Sequence, residues 1–424
     1  MAGVHAAFVG CKVSQADAAA ALAALCDAGH RPAPAAAADL ALVVTCCVTA
    51  EAERKSRQLA RRLASGGRPV IVTGCAATYR PAQFAVPGVV VAARDELAAV
   101  AGRLAKRPGV NEAAETARAA ADRPDARSGR PRVGHSRPRT RLTLKVQDGC
   151  SGACSYCAVR LARGPLWSLP LHDAASAARA GIAGGCGEIV LSGVNIGLYR
   201  DAGGAGLAGL VASLVALPGL RRLRLSSIEP QHLRAPLLAA LAQPLVARHL
   251  HVPLQSADDG VLAAMRRPYT FGEYLATLDA ARAAMGEIMV STDVIVGFPS
   301  EDEAAFERTL DALRGGRFGR VHVFPYSRRP GTAAASVPPL PPGIVKARRA
   351  AALAAAEAAH AAAARAEIGT AAEVLVEDRV DGHWCGYTSR YTRCYIGDGA
   401  VEPGTLVTVA VEGLFRNGVR GALV

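Results

Sequence analysis

LTLKVQDGCSGACSYC, residues 142–157, runs from a strand-like stretch, Leu142–Val146, straight into a loop holding Cys150, Cys154 and Cys157. Five more strand-like stretches follow: EIVLSG (188–193), LRRLRLSS (220–227), HLHVPLQ (249–255), IMVSTDVIVGF (288–298) and GRVHVFPYS (319–327). Helical stretches such as Leu171–Ala183 and Ala304–Arg314 separate them. Strands alternating with helices in this way predict a parallel β/α barrel, and six strands make it a partial one.

Outward from this core the chain changes character twice. In residues 1–104 the apolar runs His5–Val9, Leu40–Thr45 and Pro69–Thr73 alternate with alanine-rich helical stretches, which predicts an N-terminal parallel α/β domain. Each run is followed almost at once by a cysteine: Cys11, Cys46 and Cys75. Ligand sites in open parallel sheets collect beyond the carboxyl ends of the strands, so these three thiols are expected to meet. Residues 105–137, rich in Arg, Pro, Gly and Asp, read as a basic flexible linker. The barrel spans 138–366 and ends in an alanine-rich helix, 343–366; residues 367–424 then turn to short strands broken by Gly and Asp, the pattern of a small β-barrel.

A chain of 424 residues predicts two to three domains, and 51% hydrophobic residues exclude wholesale disorder. Lysine and arginine number 49 against 36 acidic residues, a net charge of +13 that suits a polyanion such as RNA. No window holds 18 strongly apolar residues and the first residues, MAGVHAAFVG, lack a basic segment before an apolar one, so the expectation is a cytoplasmic protein without a membrane partner. Eleven cysteines in a reducing compartment point to metal ligation over disulfides. Three thiolates on one loop can cap three irons of a cubane cluster and leave the fourth iron open to another ligand. The alternative is zinc, but a closed structural site needs four ligands, and no fourth Cys or His stands at finger-like spacing.

CxxxCxxC after the first strand of a β/α barrel resembles the radical S-adenosylmethionine (SAM) superfamily, and QDGCSGACSYCAVRLARG resembles its methylthiotransferase branch. The likeness continues, in order, through GCKVSQ (10–15), TCCVTAEAERKSRQ (45–58), TGCAA (73–77), EIVLSGVNIGLY (188–199), LRLSSIEP (223–230), HLHVPLQS (249–256), STDVIVGFP (291–299), HVFPYSRRPGT (322–332) and GYTSRYTRCYI (386–396). Val44 stands where the family has Asn, Ser300 and Asp302 alter its GFPGET, and Ala257 ends its LQSG. The resemblance implies an N-terminal methylthiotransferase domain, a radical SAM barrel and a C-terminal TRAM barrel that binds RNA. It implies two 4Fe-4S clusters, one held by Cys150, Cys154 and Cys157 with SAM on its open iron, the other by Cys11, Cys46 and Cys75. The family's Thr-Cys pair matches Thr45-Cys46, which selects Cys46 over Cys47. The implied reaction uses a radical from SAM to activate carbon 2 of an adenine, where sulfur is inserted and methylated. The GCK start, SRRPGT and GYTSRYTRCYI are most similar to the branch that acts on N(6)-threonylcarbamoyladenosine at position 37 of tRNA. The alternatives are isopentenyladenosine in tRNA, a ribosomal-protein aspartate and, in another class, a non-catalytic iron–sulfur RNA-binding protein. A low-potential electron donor and a sulfur donor are implied partners beside tRNA.

Further residues are candidates for cofactor contact. Tyr156, fixed between cluster cysteines, can pack on the SAM adenine or on the barrel rim. Gly193 and Asn195 follow a strand where a glycine permits close approach to SAM or makes a plain turn. Gln255 and Ser256 end the strand on which His249 and His251 share a face. The stretch holding Tyr387, Arg390, Tyr391, Arg393 and Tyr395 mixes cations and rings, which reads as an RNA platform or as ordinary strand alternation with the aromatics buried and the arginines out. Cys26, Cys186, Cys385 and Cys394 read as buried small hydrophobes.

Overall fold

The computed structural model describes residues 1–106, 140–397 and 399–424, so the expected linker lies almost wholly outside the described residues. Its first two positions end the helix Leu97–Lys106, because Leu97, Val100, Ala101 and Leu104 bury that helix on the N-terminal sheet. That sheet is parallel, in the order β2 (Arg31–Pro32), β1 (Gly3–Phe8), β3 (Leu40–Thr45), β4 (Val70–Gly74), β5 (Val89–Val91). Leu40, Leu42 and Ile71 face one helical layer and Ala41, Val43 and Val72 the other, the all-apolar habit of a strand covered on both faces.

The central unit has β6 (Arg141–Asp148), β8 (Glu188–Gly193) and β9 (Arg222–Leu225) in parallel, with short β7 (Trp167–Ser168) antiparallel at the edge. A second parallel group holds β10 (His249–His251), β11 (Met289–Val296) and β12 (Arg320–Pro325), and bridges from Leu223 to Val246 and Ser227 to His251 join the two groups. The result is a six-stranded partial β/α barrel closed outside by helices that include Leu171–Ala183 and Pro342–Arg365. Alternation along the strands sorts the side chains. Leu144, Val146, Ile189, Leu191, Leu223, Leu225, Leu250, Val290 and Val294 form one core with the helices. The opposite face, toward the lumen, carries Lys145, Glu188, Arg222, Arg224, His249, His251, Ser291, Asp293, Arg320 and His322.

The last unit is a closed five-stranded barrel in the order β13 (Ala371–Val380), β14 (His383–Thr388), β15 (Arg393–Ile396), β17 (Gly418–Leu423), β16 (Leu406–Phe415). It seats on the amino-terminal end of the central strands through buried charge. Glu188 accepts from Arg224 at 2.9 and 3.0 Å and from Arg222 at 3.4 Å, and Arg141 stands 3.5 Å away. Arg222 also donates to Glu373, at 2.8 Å to its carboxylate, and Arg224 to the carbonyls of Thr388 and Ser389 at 3.2 Å each. Tyr391, in the left-handed region at φ 70°, stacks on His249 at 4.8 Å and on Tyr387 at 4.9 Å, with the Arg224 guanidinium 4.6 Å and the Lys12 ammonium 5.0 Å from its ring.

Of the two readings of the stretch 387–395, the rings follow the one in which the aromatics are buried. Tyr387 and Tyr391 face the cationic floor of the central barrel, and Tyr395 is buried with its hydroxyl donating to Asn417 Oδ1 at 2.7 Å. Arg390 pairs with Glu287, and Arg393 lies over the Tyr395 ring. Cations bind ring faces well where water is excluded, which is why the rings turn inward. Cys385 and Cys394 are buried as expected, whereas Cys26 and Cys186 are only half-buried.

Burial raises the Glu188 carboxyl pKa, but Arg224 foremost, with Arg141 and Arg222, brings it down to about 2. A depressed carboxyl stabilises the fold above its unfolded pKa and loses that contribution as pH falls toward the folded one. Wild type is therefore expected to shed about 3 kcal/mol of stability between about pH 4.5 and 2 from this group. Glu188→Gln should lack that component and melt lower at neutral pH; identical acid profiles for the two proteins would refute the assignment.

Candidate active site

The three N-terminal cysteines sit at the carboxyl ends of neighbouring strands. Cys11 follows β1 and begins the helix Lys12–Asp27, Cys46 follows β3, and Cys75 opens the helix Cys75–Tyr79 directly after β4. Pairing of Phe8 with Val44 and of Thr45 with Gly74 aligns the ends, so topology alone brings the thiols to one edge. The turns are tight. Gly10 has φ 129°, and a Cβ there would stand 2.7 Å from the Cys46 Cβ and 3.1 Å from its sulfur. Gly74, at φ 94°, would drive a Cβ to 2.9 Å from the Thr45 backbone. Burial pushes the Cys46 thiol up to about 12, with Cys75 and Cys11 both adding to the rise. Cys47 packs in the core beside Val43, Ala60 and Cys75. Its hydrogen bond to Cys75, together with burial, raises its own pKa, while the same bond, aided by Arg163, lowers that of Cys75 against the effect of burial.

Cys150, Cys154 and Cys157 occupy the loop between β6 and the helix Val159–Arg163. Backbone bonds anchor it: Ser155 N–H to the Met265 carbonyl at 3.0 Å and Ala334 N–H to the Ser155 carbonyl at 2.7 Å. Each sulfur meets a donor. Gly152 N–H reaches Cys150 Sγ at 3.2 Å, Val159 N–H reaches Cys157 Sγ at 3.4 Å, and Arg267 Nη1 reaches Cys154 Sγ at 3.2 Å. A Cβ on Gly152 would lie 3.2 Å from Cys150 Sγ and 3.9 Å from Cys154 Sγ, so the glycine keeps the space between the thiols open. Burial holds the Cys157 thiol at about 11, and a bound cation reverses that preference by favouring thiolate. Among the described residues no three thiols gather within the 4.8 Å that a single ion demands, whereas His251, Asp293 and His322 do.

The two thiol sets face one another. Ala158 and Ala162, just past Cys157, share a core with Cys47, Cys75 and Ala76, and Cys157 bears on the titration of Cys47. Arg163 donates from Nε to Cys75 Sγ at 2.9 Å and from Nη1 to Asp17 at 2.7 Å. Asp17, 3% exposed, also takes Lys145 of β6 at 2.8 Å and Arg94 at 2.7 Å. Beside this junction Glu53, Arg57, Arg80, Arg328, Arg329 and Thr332 line a cleft of about 700 Å³.

The other candidates divide. Tyr156 packs against the cluster of Met265, Ile295 and Phe298, and burial raises its phenol. Gln255 holds φ 72°, an uncommon state for a non-glycine residue that recurs at functional sites. Asn195 donates its N–H to Gln147 Oε1 at 2.8 Å, while its own Oδ1 and the neighbouring Ser192 hydroxyl are buried without a partner, as atoms awaiting a ligand are. Two expectations are corrected. The close approach that Gly193 permits is to Gln147, whose carbonyl would lie 2.9 Å from an added Cβ. Ser256 is fully buried, with its hydroxyl bonded to Thr309 at 3.3 Å and accepting from Asp258 N–H at 3.2 Å, so it offers nothing to a cofactor. Sequence reasoning missed Asp17, Arg163 and Arg267. Arg163 stood in the quoted LARG, but Arg267 lies more than a hundred residues from the thiol it serves and carried no local signal.

Burial raises the Asp17 carboxyl, and Arg163, Lys145 and Arg94 together overcome it and hold the group well below the usual carboxylate range. Asp17→Asn is expected to weaken the junction by about 3–5 kcal/mol, since Lys145 and Arg163 stay buried. Amide exchange should quicken in Lys12–Asp27 and Val159–Arg163; wild-type exchange rates in both segments would place the stability of the junction elsewhere.

Residues 144–313 match the radical SAM superfamily, and residues 3–92 match uncharacterized protein family UPF0004. The chain is 34% identical over 334 residues to threonylcarbamoyladenosine tRNA methylthiotransferase MtaB of Thermotoga maritima, covering 77% of this chain and 75% of that protein. It is 37% identical over 281 residues to tRNA-2-methylthio-N(6)-dimethylallyladenosine synthase of Cereibacter sphaeroides, with 66% and 64% covered. Its fold is similar to that of the radical S-adenosylmethionine methyltransferase TsrM from Kitasatospora setae, at a TM-score of 0.52 and 17% identity over 78% of this chain and 74% of the other. A relative so similar over three quarters of both proteins, matched through the domains that bear the thiols, means that this chain belongs to the radical SAM methylthiotransferase family.

Proposed function

We propose that this protein installs a methylthio group at carbon 2 of N(6)-threonylcarbamoyladenosine at position 37 of tRNA. The observation that carries the reading is the apposition of two thiol sets across one junction, with Arg163 reaching from the loop of one to Cys75 of the other. Cys150, Cys154 and Cys157 would hold a 4Fe-4S cluster with SAM, and Cys11, Cys46 and Cys75 a second 4Fe-4S cluster. Bound there, these groups supply one-electron cleavage of SAM and a sulfur atom for transfer. The chain's own residues do the rest. The backbone N–H groups of Gly152 and Val159 and the Arg267 guanidinium stabilise negative charge on sulfur. Tyr156, Gln255 and Asn195 shape the SAM side of the lumen, with Gly193 letting Gln147 close against the end of β8. The shared core around Cys47 and Ala158 keeps water from the junction.

Transfer RNA has two cationic surfaces available. One is the cleft with Arg57, Arg80 and Arg328, directly beside the N-terminal thiols. The other is the outer face of the C-terminal barrel, where Arg379, Arg416 and Arg420 are exposed. A low-potential electron donor and a sulfur donor complete the set of partners. Among the described residues no helix is long and apolar enough to cross a membrane, and we place the protein in the cytoplasm with its substrate. Dimethylallyladenosine is the second reading, because a relative of similar identity is named for it.

Three measurements test the proposal. Nucleoside analysis of tRNA from cells with and without the gene should show loss of the methylthio form of threonylcarbamoyladenosine; loss of methylthio-isopentenyladenosine alone would overturn the choice of nucleoside. Replacing Cys11, Cys46 and Cys75 together by Ala should lower iron from about eight to about four atoms per chain. Such a protein should still cleave SAM while no longer methylthiolating tRNA. Methylthiolation at the wild-type rate in that triple variant sinks the division of labour. Replacing Arg379, Arg416 and Arg420 by Ala should weaken tRNA binding and reduce the slope of log affinity against log salt by up to about 3. An unchanged slope would move the RNA contact to the cleft.

A further inference from the structure

The lumen of the central barrel carries a polar shelf that neither thiol set uses. On β10, β11 and β12 the polar lumen-facing positions are His249, His251, Ser291, Asp293, Arg320 and His322. Register sets His251 beside Ser291, Ser291 beside Arg320, and Asp293 beside His322. His251 Nε2 lies 3.1 Å from Asp293 and its Nδ1 2.9 Å from Ser291 Oγ, which also meets His249 Nε2 at 2.8 Å. The His251 and His322 rings are 5.7 Å apart, and His322 is open to solvent. Among the described residues Arg320 has no carboxylate within salt-bridge reach, and neither has Lys12, which enters the same lumen from the N-terminal domain.

The height of this shelf is fixed by β11. Ser291 stands at the floor, level with His249, which stacks on Tyr391. Two residues up is Asp293, and two further is Ile295, in the cluster against which Tyr156 of the thiol loop packs. Each step of two residues is about 6.6 Å, so the shelf lies one step below the thiol loop. Asp293 is tied to the cofactor side as well, since its carbonyl accepts from Gln255 N–H at 2.8 Å. A group attached to an adenine held at thiol-loop level thus reaches these side chains.

We propose that His251, Asp293, Arg320 and His322 form the subsite for the N(6) substituent of the adenosine, and so select its chemical class. The inference rests on the nucleoside named above. A threonylcarbamoyl group offers a hydroxyl, urea N–H and C=O groups and a carboxylate. Asp293 accepts from the donors, His322 serves either role, His251 holds the Asp293 carboxylate in place, and Arg320 with Lys12 opposes the substituent's carboxylate. A dimethylallyl group offers none of these and would leave the shelf desolvated without partners, which is how polar sites reject apolar analogues. The same atoms suit a divalent ion less well in their present bonding. If Ser291 donates to His251 Nδ1, the His251 Nε2–H donates to Asp293, and His249 Nε2–H donates to Ser291. His249 Nδ1, buried without a partner, is then only a lone pair. Freeing His251 Nε2 for a metal would put a proton on that orphaned atom.

The test uses the cluster-loaded protein and anticodon stem-loop RNAs bearing threonylcarbamoyladenosine, dimethylallyladenosine or adenosine at the target position, read by binding and by product mass spectrometry. Wild type should prefer the threonylcarbamoyl RNA. The double variant Arg320→Leu, His322→Leu should lose about 100-fold or more of that preference, while Arg320→Lys, His322→Gln recovers most of it. Unchanged iron content and circular dichroism report that the variants fold. A double Leu variant that keeps the wild-type preference overturns the subsite while leaving the nucleoside assignment intact. Wild type that acts only on the dimethylallyl RNA overturns both. Stoichiometric zinc or manganese beyond the cluster iron, lost in the His322 variant, also overturns the inference by giving the shelf to a metal.

Discussion

Buried carboxylates, Asp17 foremost, hold the two chemically active halves of the molecule together, with Glu53 pairing Arg329 at 3.1 Å. Asp17 accepts cations from a strand of the central barrel (Lys145), from the helix behind the thiol loop (Arg163) and from its own domain (Arg94). Buried charges persist only where they are matched, so each partner fixes the others. Because Arg163 also reaches Cys75, the same network that joins the domains sets where one thiol set stands relative to the other. Positions of reacting groups are thereby tied to the stability of the junction.

The opposite end of the barrel is closed by the same physics with different components. Glu188 neutralises part of an arginine cluster, and the faces of Tyr387 and Tyr391 take up the remainder. The C-terminal barrel therefore serves as the floor of the lumen. The lumen is walled by strands and floored by Tyr391. Its wall is polar at His251, Asp293 and His322, and a polar wall is a device for choosing among substrates.

The division between what was readable and what was not follows the range of the interactions. Strand-helix alternation, the CxxxCxxC loop and the cysteines after each N-terminal run are local patterns, and the partial barrel, the parallel sheet and the closed C-terminal barrel follow from them. Even the meeting of Cys11, Cys46 and Cys75 was legible, because parallel topology sends all strand ends to one edge. The inward turn of Tyr391 was not, since its partners Arg224, His249 and Lys12 come from three distant segments. Ser256 misled for the same reason: position at a strand end is a sequence property, but its hydroxyl answers to Thr309 on another element.

Sequence by itself determined the fold class, the order of the three units and the cysteines placed just after their strands, because periodicity and spacing act within a few residues of each other along the chain. Tertiary structure alone decided which cations surround those thiols, which tyrosines are available and which polar groups line the lumen. Burial and ion pairing depend on what packs opposite, and in Asp17, Glu188 and Arg267 that neighbour lies tens to hundreds of residues away.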